Sequence, residues 1–413
     1  MRRIVWCVVG TRPEAIKLAP LVSRLRRERD RLETRLIATG QHRELLDRAL
    51  ADFDLRADYD LELMKPGQTL ADVLAAGVAG LDRLIAEDRP DLIIGQGDTT
   101  SVLAAATAAF YRRAPFAHVE AGLRTGDRYA PFPEEMNRVL IGRLATLHFA
   151  PTHQAVDNLL LEGIARSSIV LTGNTVVDAI WSLDSRSNRL PIKPPTAAYV
   201  LVTAHRREHQ GEHLDQICSA LVELTRRRVD LSVILPVHPN PAVRGALIDR
   251  LRDRERILLI DPVGYADFAA LMRGSRLIVT DSGGVQEEAP AIGKRVIVIR
   301  ERTERREGFE TGLVKLVGCD RDALVDAVDE MWDRPEETSG RIGPGRFANP
   351  YGDGWASERI TRAVLNFLGI EPEPAPAGFH ETWDERRGDP NGISNIGFAY
   401  VDSGGMNGYE SAV

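Results

Sequence analysis

The chain has 413 residues, 43% of them hydrophobic and 27% charged, and a formal net charge of -7. That length exceeds what one hydrophobic core usually supports, so two globular domains with a cleft between them are expected. The acidic balance excludes a general nucleic-acid binder but leaves room for a local basic pocket that takes a small anion.

In chain order, Arg2 and Arg3 lead into an apolar run over 4–9 that stops at Gly10. The run is too short for a signal-peptide core and reads as a buried strand. No stretch approaches the roughly 18 consecutive apolar residues of a membrane span, and a soluble, cytoplasmic protein is expected. Cys7, Cys218 and Cys319 are far apart and form no CxxC pair, which fits a reducing compartment. Further apolar runs at 92–94, 116–119 and 146–150, then at 199–203, 231–235, 257–260, 277–280 and 296–299, predict two series of buried parallel strands. Amphipathic stretches at 15–27, 70–87, 214–228 and 265–272 predict helices between them, so the fold class is α/β. A polar, Pro-rich connection spans 182–196, with the functional hinge placed earlier, near Gly173. The expected domains are 1–172 and 173–355, followed by a helix over 356–369 and a disordered tail over 370–413 rich in Pro, Gly, Asn and Asp.

The first strand runs into Gly10-Thr11-Arg12-Pro13-Glu14-Ala15-Ile16-Lys17. Thr11 with Glu14 three residues on is a capping box, and Pro13 suits a first helical turn. Arg12 and Lys17 bring cations to a crevice at the strand ends that suits an anionic ligand. Gly95-Gln96-Gly97-Asp98-Thr99-Thr100 only superficially resembles a dinucleotide fingerprint, because Thr100 stands where the third glycine belongs. Asp98, Glu120 and Glu134 supply carboxylates at strand ends and loops, the groups needed to move a proton off and onto carbon.

In the second half, His205 to His209 has the HxxEH zinc-protease spacing. It follows a strand rather than lying on a helix, and Arg206 and Arg207 would oppose a dication, so a phosphate-facing loop explains it better and no metal is expected. Asp281-Ser282-Gly283-Gly284 precedes a helix whose free amides suit a diphosphate. Glu288 is placed for ribose hydroxyls and Arg305 for phosphate charge.

With these motifs the chain resembles the non-hydrolysing UDP-N-acetylglucosamine 2-epimerase family from Ile4 to about Leu368. The matching segments include Gly10 to Lys17, Gln41-His42-Arg43-Glu44, Gly97 to Thr100, His118 to Asp127, Pro133-Glu134-Glu135, Gly173 to Val176, His205 to Glu208, Pro236-Val237-His238, Asp281 to Pro290, Thr303-Glu304-Arg305 and Asn349 to Gly354. The resemblance implies two Rossmann-like domains facing across a cleft in the GT-B arrangement, with a C-terminal helix returning to the first domain. It implies UDP contacts at Arg12, His205, Phe268, Ser282, Gly283, Gly284, Glu288 and Arg305, and catalytic groups at Lys17, Asp98, Glu120, Glu134 and His205. Gln41, His42, Glu135, Arg207 and His238 match the region where members activated by their own substrate hold a second nucleotide sugar. Gly67 and Glu44 replace an arginine and a glutamine of strongly regulated members, and Val263 replaces a glutamine near the uracil.

The expected reaction is interconversion of UDP-GlcNAc and UDP-ManNAc without an added cofactor, by a homodimer that supplies ManNAc-type sugars for cell-surface polysaccharide. Its alternatives are a hydrolysing epimerase that releases ManNAc and UDP, a 2-epimerase for a modified UDP-HexNAc, a GT-B glycosyltransferase, and a silent UDP-sugar binder. Asp98, Glu120, Glu134 and Lys17 argue against the last, since binding alone needs no acids and bases around the sugar.

Overall fold

The computed structural model describes residues 2–371 except 41–42, 64, 66, 184–189, 205–210, 238–240, 302, 304 and 335–348. Its first sheet contains β1 (Arg3–Val9), β2 (Leu32–Ala38), β3 (Tyr59–Asp60), β4 (Leu92–Gln96), β5 (Phe116–Val119), β6 (Leu147–Ala150) and β7 (Ile169–Leu171). Its helices are α1 (Arg12–Arg27), α2 (Arg43–Ala51), α3 (Leu70–Asp88), α4 (Thr100–Tyr111), α5 (Glu134–Leu144) and α6 (His153–Leu161). After α7 (Thr175–Ser182) come β8 (Ala198–Thr203), α8 (Glu212–Arg227), β9 (Leu231–Pro236), α9 (Pro241–Leu251), β10 (Ile257–Ile260), α10 (Tyr265–Gly274) and β11 (Leu277–Thr280). The chain continues through α11 (Gly283–Ala291), β12 (Val296–Val298), β13 (Val314–Leu316), α12 (Arg321–Trp332) and α13 (Ala356–Phe367).

Among the described residues all strand pairs are parallel, since the connections cross over the sheet faces, nearly all with an α-helix and the link from β12 to β13 with a 3-10 turn over 306–311. The seven-stranded sheet has the order β3-β2-β1-β4-β5-β6-β7 and the six-stranded sheet β10-β9-β8-β11-β12-β13. Each therefore reverses its winding once, between β1 and β4 and between β8 and β11. A doubly wound sheet opens a crevice at such a reversal, beyond the strand carboxyl ends. Gly10 to Lys17, Gly97-Asp98 and Ser282 to Glu288 all follow strands that flank these two points.

The expected α/β fold with paired parallel sheets is what the structure contains. The core strands are almost fully buried, with Val5 to Val9 and Val200 to Val202 at 0% exposure. The last helix crosses back: α13 packs on α1 and α7, and Arg24 of α1 is ion-paired to Glu358 of α13. Among the described residues no helix is long and apolar enough to cross a membrane.

Candidate active site

On the first-domain side, β1 delivers Gly10 into a space too tight for any side chain. A Cβ there would lie 2.4 Å from Ser101 Oγ and 2.7 Å from Thr39 Oγ1. Glu14 turns back to accept the amides of Gly10 (2.6 Å) and Thr11 (3.3 Å) and the Thr11 hydroxyl (2.9 Å), the expected capping interaction that starts α1 here. Lys17 then lies on the inner face of α1, only 8% exposed. Its Nζ donates to Glu120 Oε2 at 2.5 Å and lies 3.5 Å from Glu287 Oε2. Glu120 follows β5 with φ +66, a left-handed conformation that a non-glycine residue adopts only when its surroundings demand it. The Gln96 amide also donates to Glu120.

The other first-domain carboxylates form a neighbouring group. Asp98 Oδ2 accepts Arg138 Nη2 at 2.5 Å and Nε at 3.2 Å, and the Asp98 carbonyl accepts Asn137 Nδ2 at 2.8 Å. Glu134 is half-buried at the head of α5. Glu135 is 3% exposed, and it accepts the amides of Thr125 and Gly126, both at 3.0 Å, and Arg138 Nη1 at 3.2 Å. In this arrangement Glu135 fixes a turn and an arginine.

On the second-domain side, Ser282 is the N-cap residue of α11, and Gly283 and Gly284 form its first turn. Arg305 lies directly against that turn: a Cβ on Gly283 would be 2.7 Å from Arg305 Nη1. Arg305 Nε donates to Glu287 Oε1 at 2.7 Å, and its Nη2 lies 3.8 Å from Glu120 Oε1. Asn174 Nδ2, just past β7, donates to Glu287 Oε2 at 3.0 Å. Glu288 accepts the Tyr265 hydroxyl at 3.0 Å, Phe268 is half-buried on α10, and Arg12 Nη2 donates to the Val263 carbonyl at 3.4 Å.

Lys17, Arg305, Glu120 and Glu287 thus form one buried cluster in which two cations meet two carboxylates. Burial alone would depress the Lys17 ammonium, but Glu120 and Glu287 outweigh it and raise its pKa. Burial would likewise raise the Glu120 carboxyl, yet Lys17 and then Arg305 hold it below the usual range. Glu287 is raised by burial, even with Arg305 and Lys17 beside it. The arrangement can stabilise an incoming anion with Arg305, Lys17 and the α11 amides, and can exchange protons through its carboxylates.

Of the residues read from sequence, Lys17, Glu120 and Arg305 come into one ion-pair network. Asp98 pairs with Arg138 at the end of the adjacent strand. Gln41, His42, His205, Arg207 and His238, and with them the HxxEH segment, lie outside the described residues. Sequence reading missed Glu287, Gln96, Asn174, Arg138 and Tyr265. For Glu287 a signal existed: four residues after Gly283, it shares the helix face of that glycine.

The model of a protein family described as UDP-N-acetylglucosamine 2-epimerase matches residues 24–365. The UDP-N-acetylglucosamine 2-epimerase of Yersinia pestis is 46% identical over 373 residues, covering 88% of this chain and 98% of that protein. The S. aureus protein solved with UDP has a TM-score of 0.83 and 39% identity, over 91% of this chain and 100% of that one. The Neisseria meningitidis UDP-GlcNAc 2-epimerase solved with UDP-GlcNAc has a TM-score of 0.79 and 38% identity, over 88% of this chain and 100% of that one. With the family match over 24–365 and a relative 46% identical over 88% of its length, this chain belongs to the UDP-N-acetylglucosamine 2-epimerase family and is an isomerase.

Proposed function

We propose that the chain interconverts UDP-GlcNAc and UDP-ManNAc without net hydrolysis, by eliminating UDP to a 2-acetamidoglucal and adding it back. The observation that carries this reading is the buried cluster in which Lys17 and Arg305 are both shared between Glu120 and Glu287. The C2 hydrogen of the sugar is not next to a carbonyl, so its removal needs an acceptor for the electrons. Breakage of the bond between C1 and the UDP oxygen supplies one. The C–H electrons become the C1–C2 double bond, and the C1–O pair leaves on the diphosphate. The route needs neither nicotinamide nor metal, because the leaving group takes the electrons.

Arg12, Arg305 and the amides at Gly283 and Gly284 stabilise the departing diphosphate, with Ser282, Glu288 and Phe268 holding the nucleotide. As the diphosphate draws Lys17 and Arg305 toward itself, Glu120 loses the cations that depress its pKa and becomes a better base. Asp98, Glu120 and Glu134 form the set that removes the C2 proton and returns one to the opposite face, assisted by Lys17 and His205. The complex of the Neisseria relative with UDP-GlcNAc supports the substrate. Contacts between the halves 1–172 and 173–355 close the cleft, and water exclusion keeps the glycal for re-addition. A homodimer serving cell-surface polysaccharide, as the family resemblance implies, completes the proposal. Phe110 and Tyr111, 60% and 68% exposed at the end of α4, offer apolar surface for a subunit contact.

Reaction in heavy water is expected to place deuterium at C2 of the product, with traces of glycal and UDP after long incubation. Product that keeps its original C2 hydrogen would sink the elimination route. Free ManNAc and UDP as the accumulating products would favour the hydrolysing alternative.

A further inference from the structure

The N-terminus of α10 is completed by a residue of the other domain. First-turn amides of a helix have no intrahelical acceptor, and the N-cap residue normally supplies one from its side chain. Here the N-cap is Gly264, which has none. The amides of Tyr265 and Ala266 instead meet Asp52 Oδ2, at 2.9 and 3.4 Å. Asp52 lies in the turn after α2, on the first-domain side of the cleft. Beside it Phe53 packs on the Tyr265 ring, with centroids 5.9 Å apart. Arg12 reaches Val263 O from the start of α1 at 3.4 Å. The first domain thus grips 263–266 at three points, one of them a carboxylate at the positive end of a helix.

The grip is connected to the nucleotide side of the site. Tyr265 is 3% exposed, and its hydroxyl donates to Glu288 at 3.0 Å. The backbone that Asp52 holds therefore belongs to the residue that positions the proposed ribose carboxylate. Separation of the domains would take the acceptor from two amides and the apolar neighbour from the Tyr265 ring at once.

We propose that Asp52 is a positioning residue that latches the cleft, a helix cap given across the domain boundary that exists only while the domains are together. It keeps Tyr265 and Glu288 in register and prolongs the retention of UDP and glycal between elimination and re-addition. The proposal rests on the elimination reading above. Loss of a helix cap shifts an equilibrium by roughly tenfold, and the closed population is expected to fall by that factor without Asp52.

The test compares the full-length chain with its Asp52→Ala and Asp52→Asn variants, all checked for an unchanged melting profile. Hydrogen exchange of a peptide covering 264–268 reads the cap itself. Stopped-flow release of UDP reads the closed state, and the ratio of glycal to epimer reads retention. Asp52→Ala is expected to lose amide protection in that peptide, to release UDP about tenfold faster, and to raise the glycal-to-epimer ratio by a similar factor. Asp52→Asn keeps an acceptor oxygen, and asparagine caps helices as well as aspartate, so it is expected to stay within about threefold of the parent. Parent-like exchange in Asp52→Ala, or parent-like UDP release and glycal ratio, would overturn the latch. Absence of any epimer from the parent chain would overturn the elimination reading instead, while exchange and UDP release would still decide the latch.

Discussion

Glu288 shows how a single buried carboxyl makes stability depend on pH. It is 6% exposed, and burial pushes its pKa from an ordinary 4.5 up to about 7, although the Tyr265 hydroxyl bond favours the charged form. The unfolded chain has its pKa near 4.5, so the folded chain binds this proton more tightly. Its contribution is fully present below about pH 4.5, is lost as pH rises toward 7, and is constant above that. A shift of this size corresponds to on the order of 3 kcal/mol. Urea unfolding of the parent and Glu288→Gln between pH 5 and 8 is expected to show the parent losing stability relative to the variant across that window. A pH-independent difference would assign the slope to another group. The place of Glu288 in the first turns of α11 was legible in sequence, because a glycine pair after an apolar strand run already marks a helix start. The role of Glu287 was only half legible: its spacing of four from Gly283 gives its face of α11, but the partners on that face, Arg305 and Lys17, come from distant parts of the chain, as Tyr265 does for Glu288.

At the scale of elements, two separate passages of the chain meet where Gly173 approaches Gly352. Gly173 has φ +82, and a Cβ on it would lie 3.1 Å from the Gly352 Cα, while the Asn174 amide donates to Tyr351 O at 2.6 Å. The close approach places Asn174 against Glu287, so this crossing is tied to the charged cluster. Gly163 has nearly the same conformation, φ +79, with nothing within 4 Å of its would-be Cβ. Both Gly→Ala changes carry a left-handed penalty of about 1–2 kcal/mol, and Gly173→Ala must in addition move backbone. Denaturant unfolding is expected to find Gly173→Ala the more destabilised, with activity lost as well. Equal losses would mean that the crossing yields easily. The strands followed a similar logic of visibility. Runs at 116–119 and 277–280, apolar except for His118 and Thr280, coincide with β5 and β11, because a strand buried on both faces has no polar alternation, and the apolar run at 257–260 marks the edge strand β10, which is only partly buried. β2 went unread since Glu33, Thr34 and Arg35 interrupt it, and β3, β7 and β13 are only two or three residues long.

At the scale of the whole molecule, alternating strands and helices made the doubly wound architecture legible, but the contacts between its halves involve partners more than 150 residues apart with no local signature. Lys17 to Glu287, Asp52 to Tyr265 and Thr152 to Glu307 are such contacts. The C-terminal return is another. α13 buries Ile360, Val364 and Leu365 at 0–2% exposure, and its first amides, those of Ala356 and Ser357, are held by Asp178 of α7 at 3.2 and 2.7 Å. Burial of each large apolar side chain contributes about 1.5–3 kcal/mol, so removal of the helix forfeits an amount comparable to the roughly 5–15 kcal/mol that holds a typical domain folded. Just past the helix, Ile370 packs on the same core and Glu371 pairs with Arg31 of the first domain. Packing on the first domain therefore extends at least to Glu371; the tail beyond lies outside the described residues, and its composition promises little apolar burial to offset the entropy of ordering. A chain ended after Glu371 is expected to keep the parent melting temperature and turnover, whereas one ended after Gly354 is expected not to yield a stably folded enzyme. Calorimetry and product analysis on the two truncations check this, and a large loss in the longer one would give the tail a structural role that its composition does not suggest.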